Sequence, residues 1–121
     1  MIGEARTALL GVFTAAGFRA ADVVPERVAP PIAVMQPSSD WVESGDTFNA
    51  FRVGFDVTLI VQTAANATVS KNLDEFVDDA LAAVTSAPGF YVGSVSGPSL
   101  VQINNAEYLT ASMTVYQNTK L

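Results

Sequence analysis

Four carboxylates in one short stretch are the residues of this chain best placed to do chemistry. Asp74 and Asp78 are spaced one helical turn apart, and so are Glu75 and Asp79. Carboxylates at this spacing could hold a cation, or they could form a negatively charged wall along which DNA slides through a pore. They could equally be the solvated face of a helix, which is the common role of such a cluster. Of the two functional interpretations, we place the pore wall ahead of a metal site.

The composition excludes most other catalytic mechanisms. The sequence has no histidine and no cysteine, so no side chain with a near-neutral pKa can activate a nucleophile and no thiolate can bind a metal. The run 93–97 is only superficially a nucleophile elbow, because that motif needs serine where this sequence has Val95. No glycine-rich phosphate loop followed by Lys-Ser or Lys-Thr occurs. We therefore expect a protein that is not an enzyme and that needs no metal or cofactor.

The charge balance argues against specific binding of nucleic acid. Twelve acidic and six basic residues give a formal net charge of −6, which repels a phosphate backbone. The basic residues are scattered along the chain and form no stripe that could follow a strand: they are Arg6, Arg19, Arg27, Arg52, Lys71 and Lys120.

The apolar content is high for a small protein that works alone. The chain has 121 residues, enough for one core, and half of them are hydrophobic whereas 15% are charged. A free-standing soluble monomer normally carries more charge on its surface. The apolar run around 9–13 is far shorter than the roughly 20 residues of a membrane span, so we expect no membrane partner. The sequence predicts a single domain, 1–121, whose surplus apolar surface is covered by its own copies or by another protein.

Hydrophobic periodicity predicts two helices. Residues 2–16 place apolar side chains at helical spacing, and Gly17 is a plausible C-terminal cap. Residues 70–86 do the same, carry the four carboxylates on the outer face, and end before Pro88-Gly89.

Strict alternation of apolar and polar residues predicts strands. The clearest case is 51–62, and the weaker ones are 32–36, 90–96, 99–104 and a last strand after Asn104-Asn105. Gly97-Pro98 separates two of them and could be a bulge or a hairpin turn. We expect an α+β fold with a mostly antiparallel sheet of about four strands, and with both helices packed on the face that receives the odd-numbered residues.

Aromatic residues outside the predicted core are candidates for contacts with other chains. Trp41 lies in a predicted projecting loop at 37–49 and is either a binding anchor or a plug over the core. Phe48 is a further contact candidate, although we favour a place at the start of the core strand for it and Phe51. Tyr108 and Tyr116 lie on a polar, uncharged strand face that is either a subunit contact or the solvent side. An unpaired edge strand could also extend a sheet between neighbouring subunits.

This layout resembles the tail terminator proteins of long-tailed, siphovirus-type phages, particularly those of actinobacterial hosts. Members of that family share layout more than motif. The resemblance covers nearly the whole chain in order: the helix at 2–16, the proline-rich run 24–32, the loop around Asp40-Trp41, the strand 51–62, the acidic helix and the closing run 108–116.

The resemblance implies a structural virion protein of the tail and neck, present in the host cytoplasm during assembly. Such a protein forms a homohexameric ring that caps the tail tube, terminates tail polymerisation and joins the tail to the head-to-tail connector protein. Its partners would be its own copies, the tail tube protein and the connector, and DNA would pass through without specific binding. The four carboxylates would then face the lumen.

A ring built of head-to-tail contacts needs two different, complementary patches on each subunit. The candidates are the loop with Trp41 on one side and Tyr108 with Tyr116 on the other. Two alternatives stay open: another head-to-tail connector or tail completion protein, and a small-molecule binding or carboxylate-based domain with its pocket between sheet and helices.

Overall fold

The helices and strands follow the predicted α+β pattern. A computed structural model describes residues 2–23, 28, 30–45, 48–62 and 67–120, with the backbone alone for 67–70. In chain order the elements are α1 (Ile2–Ala15), β1 (Arg19–Ala21), β2 (Ile32–Ser44), β3 (Ala50–Gln62), α2 (Ala67–Thr85), β4 (Phe90–Ile103) and β5 (Ala106–Lys120). Both predicted helices are confirmed. Within the described residues, neither is long and apolar enough to cross a membrane.

The sheet has five strands, in the order β1-β2-β3-β5-β4. All neighbouring pairs are antiparallel except β1 and β2, which run parallel. The prediction of about four strands therefore missed one. At three residues, β1 is too short to show an alternation. Part of the proline-rich run that follows it, 24–27 and 29, lies outside the described residues.

The central strand β3 organises the core. It pairs along its whole length with β5 and over two stretches with β2. Its odd-numbered side chains from Val53 to Val61 are buried, and they pack with the odd-numbered residues of the neighbouring strands. Leu9 and Phe13 of α1, and Phe76 and Ala80 of α2, belong to the same cluster. Both helices therefore pack on the face that receives the odd-numbered residues, as predicted.

The predicted loop at 37–49 is mostly strand. Strand β2 continues to Ser44, and the backbone amide of Gly45 donates a hydrogen bond of 2.8 Å to the Ala50 carbonyl. The register changes between the pairs Pro37–Phe55 and Val42–Val53, so β2 bulges outward there. The turn residues in this segment mark the bulge, and Pro37 is tolerated because β1 pairs with β2 only over 32–34. The prediction is wrong for 37–44; Asp46 and Thr47 lie outside the described residues.

Strand β4 is one element where two short strands were expected. Gly97-Pro98 forms a bulge inside it, since the pairing with β5 shifts between Ser96 and Ser99. Of the two alternatives for this dipeptide, the bulge is the one observed. The β4–β5 turn is Asn104-Asn105, with φ of 51° and 67°, which is the left-handed pair that a two-residue hairpin turn requires.

The two faces of β3 give a stability test. Leu59 is fully buried under the helices, whereas its neighbour Thr58 is half-buried on the other face. We expect Leu59→Ala to lower the free energy of unfolding by about 2–5 kcal/mol, because it removes apolar burial and leaves a cavity. Thr58→Ala should cost less than half of that. Urea denaturation at one fixed protein concentration measures both, and equal losses would contradict the assignment of the faces.

Candidate functional site

The four carboxylates of α2 are all exposed, and they are divided between two flanks of the helix. Asp74 and Asp78 line a groove between α2 and β4. Glu75 and Asp79 line a second groove on the opposite flank. Both described acids of each groove come from the same helix, so among the described residues no two carboxylates face each other across either groove. In the described ranges, no group of three or more acidic residues could hold a metal ion.

The two aromatic candidates of the β2–β3 hairpin differ in exposure. Trp41 lies on β2 and is 38% exposed, which leaves part of the ring free for a contact. Phe48 lies in the turn and is 91% exposed, the highest value among the exposed large hydrophobic residues. The interpretation of Phe48 as the start of the core strand is therefore wrong, because β3 begins at Ala50. Phe51 is half-buried in β3.

Tyr108 and Tyr116 point to the same sheet face but are held within the chain. Eight residues separate them, about 27 Å along a strand. Tyr108 packs on a small second cluster on the face away from the helices, whose buried members are Ile32, Val34 and Ile60. Tyr116 lies at the other end of this face. These tyrosines are half-buried and only partly available to a neighbour.

Arg52 and Tyr91 pack against the aromatic ring of Tyr116. The guanidinium carbon of Arg52 lies 4.3 Å from the Tyr116 ring centroid, and the ring of Tyr91 lies 5.4 Å from it on the adjacent strand. Arg52 also forms an ion pair with Glu43 and donates a hydrogen bond of 3.5 Å to the Tyr91 hydroxyl. The hydrogen bond to Tyr91, and then the charge of Glu43, raise the pKa of Arg52 above its ordinary value against an opposing effect of burial. Arg52 therefore stays charged and links β2, β3, β4 and β5.

Two glycines make room for the Tyr116 ring. A Cβ on Gly93 would lie 2.6 Å from Tyr116 Cε2, and one on Gly54 would lie 3.1 Å from Cε1 and 2.5 Å from Ser38 Oγ. The ring thus lies across glycines on both neighbouring strands. Ser38 Oγ is buried beside it without a hydrogen-bond partner among the described residues. Sequence reasoning missed this cluster, although glycine inside a strand pattern does indicate close approach of another group.

A polar groove of about 570 Å³ borders this cluster. Its charged lining residues are Glu43, Arg52 and Lys120. The single carboxylate among them is already paired with Arg52. Its described lining residues therefore do not include the two acids that a carboxylate-based enzyme would need.

Strand β4 is a free edge of the described sheet, and sequence reasoning did not single it out either. Within the described part of the chain β4 pairs with β5 alone, and every residue from Gly93 to Gln102 is exposed. Its 14 residues include no charged side chain. The large hydrophobic residues that it exposes are Tyr91, Val95, Leu100 and Val101. At the opposite edge of the described sheet, β1 has three residues and pairs with β2 only over 32–34.

Comparison with known proteins gives no family. No protein-family model matches the chain, and no curated protein matches it.

The packing of Tyr116 predicts different outcomes at two glycines. Gly54→Ala should destabilise the fold by about 1–3 kcal/mol, because the new methyl group would meet Ser38 and the Tyr116 ring. Gly11→Ala in α1 meets nothing within 4 Å and should be neutral or stabilising by up to about 1 kcal/mol. Thermal unfolding followed by circular dichroism measures both, and a neutral Gly54→Ala would contradict the described contact.

Proposed function

We propose that this protein is a structural assembly subunit that forms a ring with its own copies, as the tail terminator proteins do. The observation that carries the proposal is the β4 edge: 14 residues without a charge, exposed along most of their length and carrying exposed apolar side chains. A surface of this kind functions by binding another chain, and that binding makes or breaks no covalent bond.

An unprotected edge is costly for a protein that stays single. Free edges present backbone N–H and C=O groups to any other strand, and monomeric proteins block them with charges, short strands or a covering element. In β4 the bulges and Pro98 interrupt the edge, but no charge repels a partner strand. Leu100 pairs with Leu109 and Val101 pairs with Tyr108, so apolar side chains project from both faces. A strand added from a neighbour would gain hydrogen bonds and apolar contacts together.

A closed ring also needs a second, different patch on each subunit. The end of the β2–β3 hairpin, with the exposed Phe48 and the partly exposed Trp41, supplies a candidate. Two strands, β3 and β5, separate β2 from β4 in the sheet. The two patches are therefore on different parts of the subunit, which suits head-to-tail contacts.

The assignment to a tail terminator role rests on the resemblance in layout, together with this edge. On this proposal the ring caps the tail tube, terminates its polymerisation and joins it to the head-to-tail connector in the neck of the virion. The partners are the subunit's own copies, the tail tube protein and the connector. DNA passes through the ring, and the protein itself is not an enzyme. The alternative is another connector or completion protein, which would also form a ring but would not bind the end of the tail tube.

Adding charged residues to the β4 edge should prevent assembly of the ring. Leu100→Lys with Val101→Lys places two cations on an exposed edge, which opposes strand addition while leaving the core intact. Native mass spectrometry should show an oligomer, expected to be a hexamer, for the original chain and a monomer for the variant. Val23→Lys is the matched control, because Val23 is 66% exposed and lies outside β4.

Three outcomes would count against the proposal. They are a chain that stays monomeric at high concentration, a chain that does not bind purified tail tubes, and a double variant that assembles as well as the control. Binding of the ring to tail tubes separates the terminator role from the other connector roles.

The carboxylates of α2 test whether that helix faces the lumen. Reversing the charges of Asp74, Asp78 and Asp79 to lysine should leave the fold intact, because all three side chains are exposed. If they line the pore, the added cations attract phosphate and should slow the passage of DNA. Phage carrying the triple variant should then assemble but infect poorly. Normal infectivity would refute the pore wall.

A further inference from the structure

The groove on one flank of α2 combines an apolar floor with a negative rim. Its walls come from four parts of the chain: Phe18 after α1, Pro30 and Pro31 before β2, the end of β3, and α2. The rings of Phe18 and Phe76 lie 5.0 Å apart, so the floor is aromatic. We call this site the Phe76 groove. Its volume is about 340 Å³, at the lower end of the range for pockets that hold small ligands.

The rim of the Phe76 groove selects the charge of its occupant. Glu75 and Asp79 are exposed, lie one helical turn apart and are the charged residues among those that line it. None of its described lining residues is basic, and the remaining polar ones are the amides Gln62 and Asn72. A side chain with an apolar stem and a cationic head matches this arrangement.

We infer that the Phe76 groove binds an arginine side chain, flanked by an apolar residue, on a protein other than this one. Arginine fits better than lysine because its planar guanidinium stacks on aromatic rings and pairs with two carboxylate oxygens at once. The apolar neighbour would cover the two prolines. This inference goes beyond the proposed ring, since the groove and the β4 edge lie on opposite flanks of α2.

The placement of the arginines on the sheet argues for a foreign partner over a second copy. Of the two arginines on the described strands, Arg52 is already paired with Glu43. Arg19 pairs with Ile32 on the sheet face away from the helices. A basic segment of another protein is attracted to the rim without these obstacles.

Saturation-transfer NMR with the dipeptide acetyl-Leu-Arg-amide tests the inference on the full chain. The method can report weak binding to a monomer and to a ring alike. We expect transfer to the leucine methyl groups and to the arginine methylenes. Acetyl-Leu-Gln-amide, which keeps the apolar residue and loses the cation, should bind at least about fivefold more weakly, because two exposed ion pairs are lost. Higher salt should weaken binding of the arginine peptide, since both carboxylates are exposed.

The acidic pairs of α2 supply a matched pair of variants. Glu75→Gln with Asp79→Asn neutralises the rim of the Phe76 groove and should weaken binding of the arginine peptide about fivefold. Asp74→Asn with Asp78→Asn removes the same charge from the other flank and should change it less than about twofold. Circular dichroism spectra would confirm that both variants are folded.

Four results would overturn the inference: no binding of the arginine peptide, equal binding of the two peptides, equal losses in the two variants, or binding only to the monomeric Leu100→Lys, Val101→Lys chain. The last result would show that a second copy fills the groove. Failure of the ring, seen by mass spectrometry, leaves peptide binding measurable on the monomer, so the two proposals fail separately.

Discussion

Burial of the odd-numbered residues of β3 against α1 and α2 is the constraint from which the rest of the structure follows. Because side chains alternate along a strand, fixing one face of β3 also fixes which residues of β2 and β5 face the helices. The two helices cover the middle of the sheet and the start of β4, where Phe90 is buried, but they leave the rest of β4 uncovered. The exposure of the β4 side chains is thus a consequence of a sheet that extends beyond the helices packed on it.

The second face of the sheet is stabilised by different means at its two ends. At one end Ile32, Val34 and Ile60 form a small apolar cluster with Tyr108. At the other end, Tyr116 lies across glycines on both neighbouring strands under Arg52. These contacts explain why a face that contains many hydroxyl side chains is not a flat, open contact surface. Apart from Val23 after β1, the large apolar side chains of the described residues that stay exposed lie on β4 and on the β2–β3 hairpin.

The packing of α2 on the sheet divides its carboxylates between two flanks with different surroundings. The same four carboxylates that look like one cluster in the sequence line two separate grooves once the helix is packed on the sheet. One groove is bordered by the uncharged β4 strand, and the other by aromatic rings and prolines. A subunit that assembles with its copies at one edge and receives another protein elsewhere would need such a separation, since the two partners then do not compete.

The sequence by itself determined the two helices, the long strand β3, the Asn104-Asn105 turn and the face that the helices cover, because these depend on periodicity and on local backbone preferences. It also determined the absence of histidine and cysteine chemistry. The tertiary structure alone decided that β1 joins the sheet, that 37–44 is bulged strand, and that β4 is an edge. Strand order, the contact of Tyr116 with Gly54 and Gly93, and the exposure of Phe48 depend on residues far apart in the chain, and no local pattern records which of those segments become neighbours.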